Sequence, residues 1–106
     1  MAKYLIEASY TAEGVRGLVK DKASGRQAAV KQALAAVGGK LDSFYYAFGD
    51  ADAFIVCDCP DNVTAAALAL SVAASGMVRI KTIPLITVAE ADQALSKMVK
   101  YRAPGA

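Results

Sequence analysis

The stretch 41–59, LDSFYYAFGDADAFIVCDC, holds two β-favouring runs on either side of a turn. Phe44, Tyr45, Tyr46 and Phe48 crowd the first run, and Ala53 to Cys59 forms the second. Aromatic and branched side chains suit a pleated, half-buried surface, and Gly49-Asp50 supplies the turn between them. A β-hairpin therefore sits at the middle of the chain, with Leu41 to Phe48 as its first arm.

On its N-terminal side the chain offers one strand and one helical region. Lys3 to Tyr10 alternates, with Tyr4, Ile6, Ala8 and Tyr10 on one face and Leu5, Glu7 and Ser9 on the other. Thr11 is placed to cap a long helix in which Val30, Leu34 and Val37 recur at helical spacing until Gly38-Gly39 ends it. Ser24-Gly25 is expected to interrupt that helix.

On the C-terminal side, Pro60-Asp61-Asn62 stops the strand and opens a second helix. Val63 to Ser75 is alanine-rich, carries Leu68, Leu70 and Val72, and is closed by Gly76. Met77 to Val88 sets Val78, Ile80 and Thr82 against Arg79, Lys81 and Ile83, which predicts a fourth strand with Pro84 at an edge or bulge. Ala91, Leu95 and Met98 predict a C-terminal helix over Ala89 to Lys100, and residues 101–106 read as a flexible tail.

The order is βαββαβα. Right-handed crossovers fold two βαβ halves into one antiparallel sheet with both main helices on a single face. The expected class is thus α+β, a ferredoxin-like βαββαβ sandwich with a C-terminal helix, in one domain over residues 1–106 with its ordered core at about 3–99. The opposite sheet face is left open. With 56% apolar and only 21% charged residues in 106, covering that face with a second copy is the expected solution, because monomers seldom leave large apolar patches in water. A homo-oligomer, at least a dimer, follows as the expected state.

Charge and composition narrow the partners. A net charge of +2 with scattered Lys and Arg forms no basic stripe, and the aromatic run lacks the pattern of an RNA-binding sheet, so nucleic acid is not an expected partner. No stretch approaches the ~20 apolar residues that cross a bilayer. Membrane is therefore not expected, and the N-terminus reaches Glu7 too early for a signal peptide, which makes the cytoplasm the expected location. Cys57 and Cys59, the two cysteines, are expected to be reduced and to point into the helix-packed face.

Several ordered segments resemble one family. Tyr10-Thr11-Ala12-Glu13-Gly14, Gly38-Gly39-Lys40-Leu41, Tyr45 to Asp52, Pro60-Asp61 and Gly76-Met77-Val78-Arg79 together are similar to the GYD domain proteins of bacteria. The family motif of glycine, any residue, tyrosine and aspartate keeps Gly49 and Asp52 here, with Ala51 in the tyrosine's place. Asp58 stands near the position where a glutamate commonly precedes Ala-Pro-Asp in the family. The resemblance implies the dimeric α+β barrel group and carries no reaction with it.

The absence of histidine removes Ser-His and Cys-His nucleophile systems and histidine metal sites. No cofactor-cradling loop is visible, so no cofactor is expected. A metal is not expected either, since Asp50 and Asp61 fall where turns and helix caps use aspartate. The remaining set is polar: Glu7 and Ser9 on the first strand, Asp58 on the third, and Arg79 with Lys81 on the fourth, near Tyr46 and Asp52 in the hairpin. Gathered on the open face, these residues could hold a small molecule, with a carboxylate among Tyr46, Phe54 and Val56 exchanging protons and Arg79 holding an anionic or enolic oxygen. The plainer alternative is ion pairing at a dimer seam in a structural or regulatory oligomerisation module without its own ligand.

Overall fold

The structure, a computed structural model, describes residues 1–106. Strand β1 (Ala2–Tyr10) is followed by α1 (Ala12–Ala36), the hairpin β2 (Lys40–Tyr46) and β3 (Ala53–Cys59), then α2 (Asn62–Ala74), β4 (Val78–Leu85) and α3 (Val88–Ser96). The four strands form one sheet in the order β2-β3-β1-β4, antiparallel throughout. This is the ferredoxin-like βαββαβ arrangement with a C-terminal helix.

Alternation decides which side chains meet the helices. Tyr4, Ile6 and Ala8 of β1 and Ala53, Ile55, Cys57 and Cys59 of β3 are buried beneath α1 and α2. Leu34 of α1 and Ala65 of α2 complete this core, which Val30, Leu41, Phe44, Leu68 and Ile80 flank. Both cysteines are free and buried, as the alternation of β3 requires. The Tyr4 hydroxyl, carried under α2, donates to Asn62 Oδ1.

Helix ends are tied by the expected residues. Thr11 Oγ1 accepts the Gly14 amide at 3.1 Å, and Asp61 Oδ1 accepts the Thr64 amide at 2.8 Å. That bond holds the Asp61 carboxyl below its ordinary value. Gly14 also lets β4 approach: a Cβ there would lie 2.0 Å from the Met77 carbonyl oxygen. Gly38, with φ of 76°, takes the left-handed turn that ends α1.

Four details differ from the sequence expectation. The break in α1 falls at Lys22, with φ 65° and ψ 165°, and not at Ser24-Gly25, so residues 12–21 and 23–36 are two helices meeting at a kink. A lysine in that region costs about 1–3 kcal/mol. β2 carries a bulge at Asp42: Leu41 pairs with Cys57 and Ser43 with Val56, leaving Asp42 without an opposite residue. β4 ends at Leu85, short of Val88, because Thr87 starts α3 with a reciprocal cap in which its hydroxyl and the Glu90 carboxylate each accept a backbone amide. α3 then stops at Ser96, and Met98 lies beyond it.

α3 has no buried residue and no substantial contact with any other element. It projects from the body, which is why the radius of gyration is 16.7 Å where a compact chain of this length has ~13 Å. Val88 and Leu95 are exposed on it, as are Ile86 before it and Met98 and Tyr101 after it. No helix is long and apolar enough to cross a membrane.

Candidate functional site

The open sheet face has an apolar middle and a polar end. Leu5, Phe54, Val56, Tyr45, Ile83 and Leu85 occupy neighbouring positions on it, since Leu5 pairs with Val56 and Ile83 while Phe54 pairs with Tyr45. At the end near the β2–β3 loop the register sets Glu7 opposite Lys81 and Ser9 opposite Arg79. Opposed side chains on one face of an antiparallel pair stand ~5 Å apart at Cβ, so these four project together.

The loop closes one side of that group. Ser9 Oγ donates to the Asp50 carbonyl at 3.2 Å, and the next residue, Ala51, is buried. Glu7, Ser9, Asp50, Ala51, Arg79 and Lys81 line a cleft of about 310 Å³. Arg79 and Lys81 are exposed and belong to none of the ion pairs, which join Lys3 to Asp42 and Asp58 and Arg26 to Asp21. Two free cations beside a carboxylate and a hydroxyl can receive an anionic or strongly polar group.

The other three candidates lie elsewhere. Asp58 shares the face but pairs with Lys3, while Glu7 pairs with Phe54. Four residues of strand, ~13 Å, therefore separate Asp58 from Glu7. Its carboxylate meets Lys3 Nζ at 3.1 Å, beside Asp42 at 2.9 Å. Lys3 holds the Asp42 carboxyl below its ordinary value through that hydrogen bond. The expected meeting of Asp58 with Glu7 and Arg79 does not occur.

Tyr46 is on the wrong face for the cleft. The bulge at Asp42 shifts the alternation of β2, so Tyr46 pairs with buried Ala53 on the helix side and its ring lies 5.2 Å from that of Phe44. Its hydroxyl lies 3.3 Å from that of Tyr10. Burial, then the Tyr10 hydrogen bond, push the Tyr46 phenol up. Asp52, third, is engaged in the backbone: its carboxylate accepts the Tyr10 amide at 2.8 Å and its own amide donates to the Ala8 carbonyl at 2.8 Å.

The thiols are equally withdrawn from chemistry. Burial, followed by the influence of Cys59, pushes the Cys57 thiol up to about 12. Cys59 moves in the same direction, chiefly through burial. A thiol so placed stays protonated and is a poor nucleophile.

A GYD domain family model matches residues 4–95. The chain belongs to the GYD domain family. No curated protein and no solved structure matches it. Within this GYD domain, Asp52 fastens the hairpin loop to the end of β1, and Ala51 forms part of the cleft wall. Asp50 and Ala51 were not among the residues that strand alternation selects, because a loop has no alternation to read.

Proposed function

We propose that this GYD domain acts as a homodimer whose open sheet faces pair, and that the cleft lined by Glu7, Ser9, Arg79 and Lys81 holds a small molecule bearing an anionic or enolic oxygen. The observation that carries this reading is the pair of cations, Arg79 and Lys81, projecting without an ion-pair partner beside Glu7 in a cleft at the edge of an apolar face. Covering the apolar middle with a second copy would remove water from the cleft mouth and strengthen every charge interaction inside it.

A second reading is favoured by α3. A capped nine-residue helix with no buried residue and with Val88 and Leu95 exposed is too short to be stable alone in water, which fits a chain built chiefly to assemble. One experiment separates the two. Thermal unfolding is followed with a panel of small carboxylates and enols, for the wild type and for Arg79→Met. A stabilising compound whose effect Arg79→Met abolishes, at unchanged molecular mass, supports the ligand cleft. Assembly without any stabilising compound favours the assembly module.

A further inference from the structure

The helix-covered side of the sheet contains a second opening, separate from the polar cleft and on the opposite face. α1 packs over β2 and β1 and α2 over β4 and β3, with few close backbone approaches between the two helices. The result is an apolar crevice of about 70 Å³ along the middle of the core, with Ile6, Val30, Phe44, Leu68 and Val72 among its walls. Val30, Phe44 and Leu68 are only partly buried although they belong to the core. In a close-packed interior such side chains would be covered by one another.

One end of the crevice is polar. Arg26 closes it and is shared with an adjoining cleft of about 330 Å³ that also includes Tyr10, Glu13 and Asp21. The Tyr10 and Tyr46 hydroxyls meet there at 3.3 Å, near enough to Arg26 for its charge to act on the Tyr46 phenol. Asp21 is the one carboxylate within ion-pair reach of Arg26, at a loose 3.8 Å and with its side chain half exposed. Asp21 also directly precedes the kink at Lys22. A guanidinium beside the Tyr10 phenol at the end of an apolar trough matches a molecule with a carboxylate head and an alkyl or aryl body.

We propose that the crevice between α1 and α2 is a binding site for an amphiphilic carboxylate, its apolar body lying between Val30, Leu68 and Val72 and its head displacing Asp21 from Arg26. The crevice as it stands admits only the first few carbons of such a body, so binding draws α1 and α2 apart, with the partly buried Val30 and Leu68 the side chains that give way.

The test uses octanoate below its micelle concentration, with 1-octanol as the uncharged control, and follows amide signals by NMR in the full chain. Octanoate should perturb residues around Val30, Ala33, Leu68 and Val72. Arg26→Gln should weaken octanoate at least tenfold while leaving octanol unchanged, and Asp21→Asn should tighten octanoate by removing the competing carboxylate. Val72→Trp, filling the trough, should abolish binding of both. Absence of perturbation up to the solubility limit, perturbation confined to α3, or equal octanoate affinity in the Arg26→Gln protein would each overturn the site. Arg26 lies at the surface end of the crevice, so its variant remains informative even where Val72→Trp fails to fold.

Discussion

The carboxylate of Asp52 accepts the backbone amide of Tyr10 at 2.8 Å, joining the hairpin loop to the last residue of the first strand across 42 positions of sequence. A partly buried amide that loses a charged acceptor costs about 1.5–3 kcal/mol. Asp52→Ala should lower the stability of the fold by about that much in urea unfolding. Asp52→Asn keeps an acceptor oxygen and should recover most of the loss. Equal losses in the two variants would show that the bond to Tyr10 is not what Asp52 contributes.

Gly14 and Gly17 lie one helical turn apart in α1 and should respond oppositely to alanine. A methyl group at Gly14 meets the Met77 backbone oxygen at 2.0 Å, whereas at Gly17 it meets nothing within 4 Å. Backbone cannot rotate away as a side chain can, so Gly14→Ala should destabilise by about 1–3 kcal/mol despite the better helix former. Gly17→Ala should stabilise by about 0.5–1 kcal/mol. Thermal unfolding of the two variants reads both signs directly.

Cys57 should react slowly with a thiol reagent in the folded protein and rapidly in denaturant, because its thiol is both covered and raised to about 12. Its linkage to pH is one-sided. Below the ordinary value of 9.0 the thiol is protonated in both states and contributes no slope. Between there and about 12 the unfolded chain loses the proton first, so stability falls as pH rises. Cys57→Ala should flatten that alkaline slope in urea titrations. A slope as steep in the variant would assign it to another group.

Light scattering at micromolar concentration should give at least twice the chain mass of 11.0 kDa. Val56→Glu and Ile83→Glu place charge in the apolar middle of the open face and should return the chain to its single mass, since like charges would then face each other across the pair. Amide exchange in residues 88–96 should slow as concentration rises if a second copy covers α3. Exchange that ignores concentration would leave α3 outside the assembly.

The sequence made the faces of three strands legible because β1, β3 and β4 alternate without interruption. Tyr4, Ile6, Ile55 and Cys57 fall inside, and Glu7, Ser9, Arg79 and Lys81 fall outside as alternation requires. Relative height was not legible. Alternation says which side of a sheet Asp58 occupies but not how far along it lies, and no tight turn joins β1 to β3 to fix their register. The face of Tyr46 is hidden for a different reason: the extra residue at Asp42 inverts the parity between Leu41 and the aromatic run, and nothing in that aspartate announces a bulge. The kink at Lys22 was equally silent, since a lysine gives no sign of a backbone angle that glycine would have advertised three residues later at Gly25.

The bulge at Asp42 also bears on how this chain tolerates changes of length. A strand in a sheet ordinarily has no slack, and removing one residue from it throws every later side chain to the other face. β2 has one residue in reserve. Excising Asp42 would leave Leu41 opposite Cys57 and Ser43 opposite Val56, with Phe44 and Tyr46 still on the helix side of the sheet and Tyr45 on the other. The one interaction surrendered would be its grip on Lys3, which Asp58 already shares. A deletion two or three positions further on, at Phe44 or Tyr45, has no such reserve when Asp42 keeps its place, and would turn Tyr46 to the opposite face of the sheet, away from Tyr10.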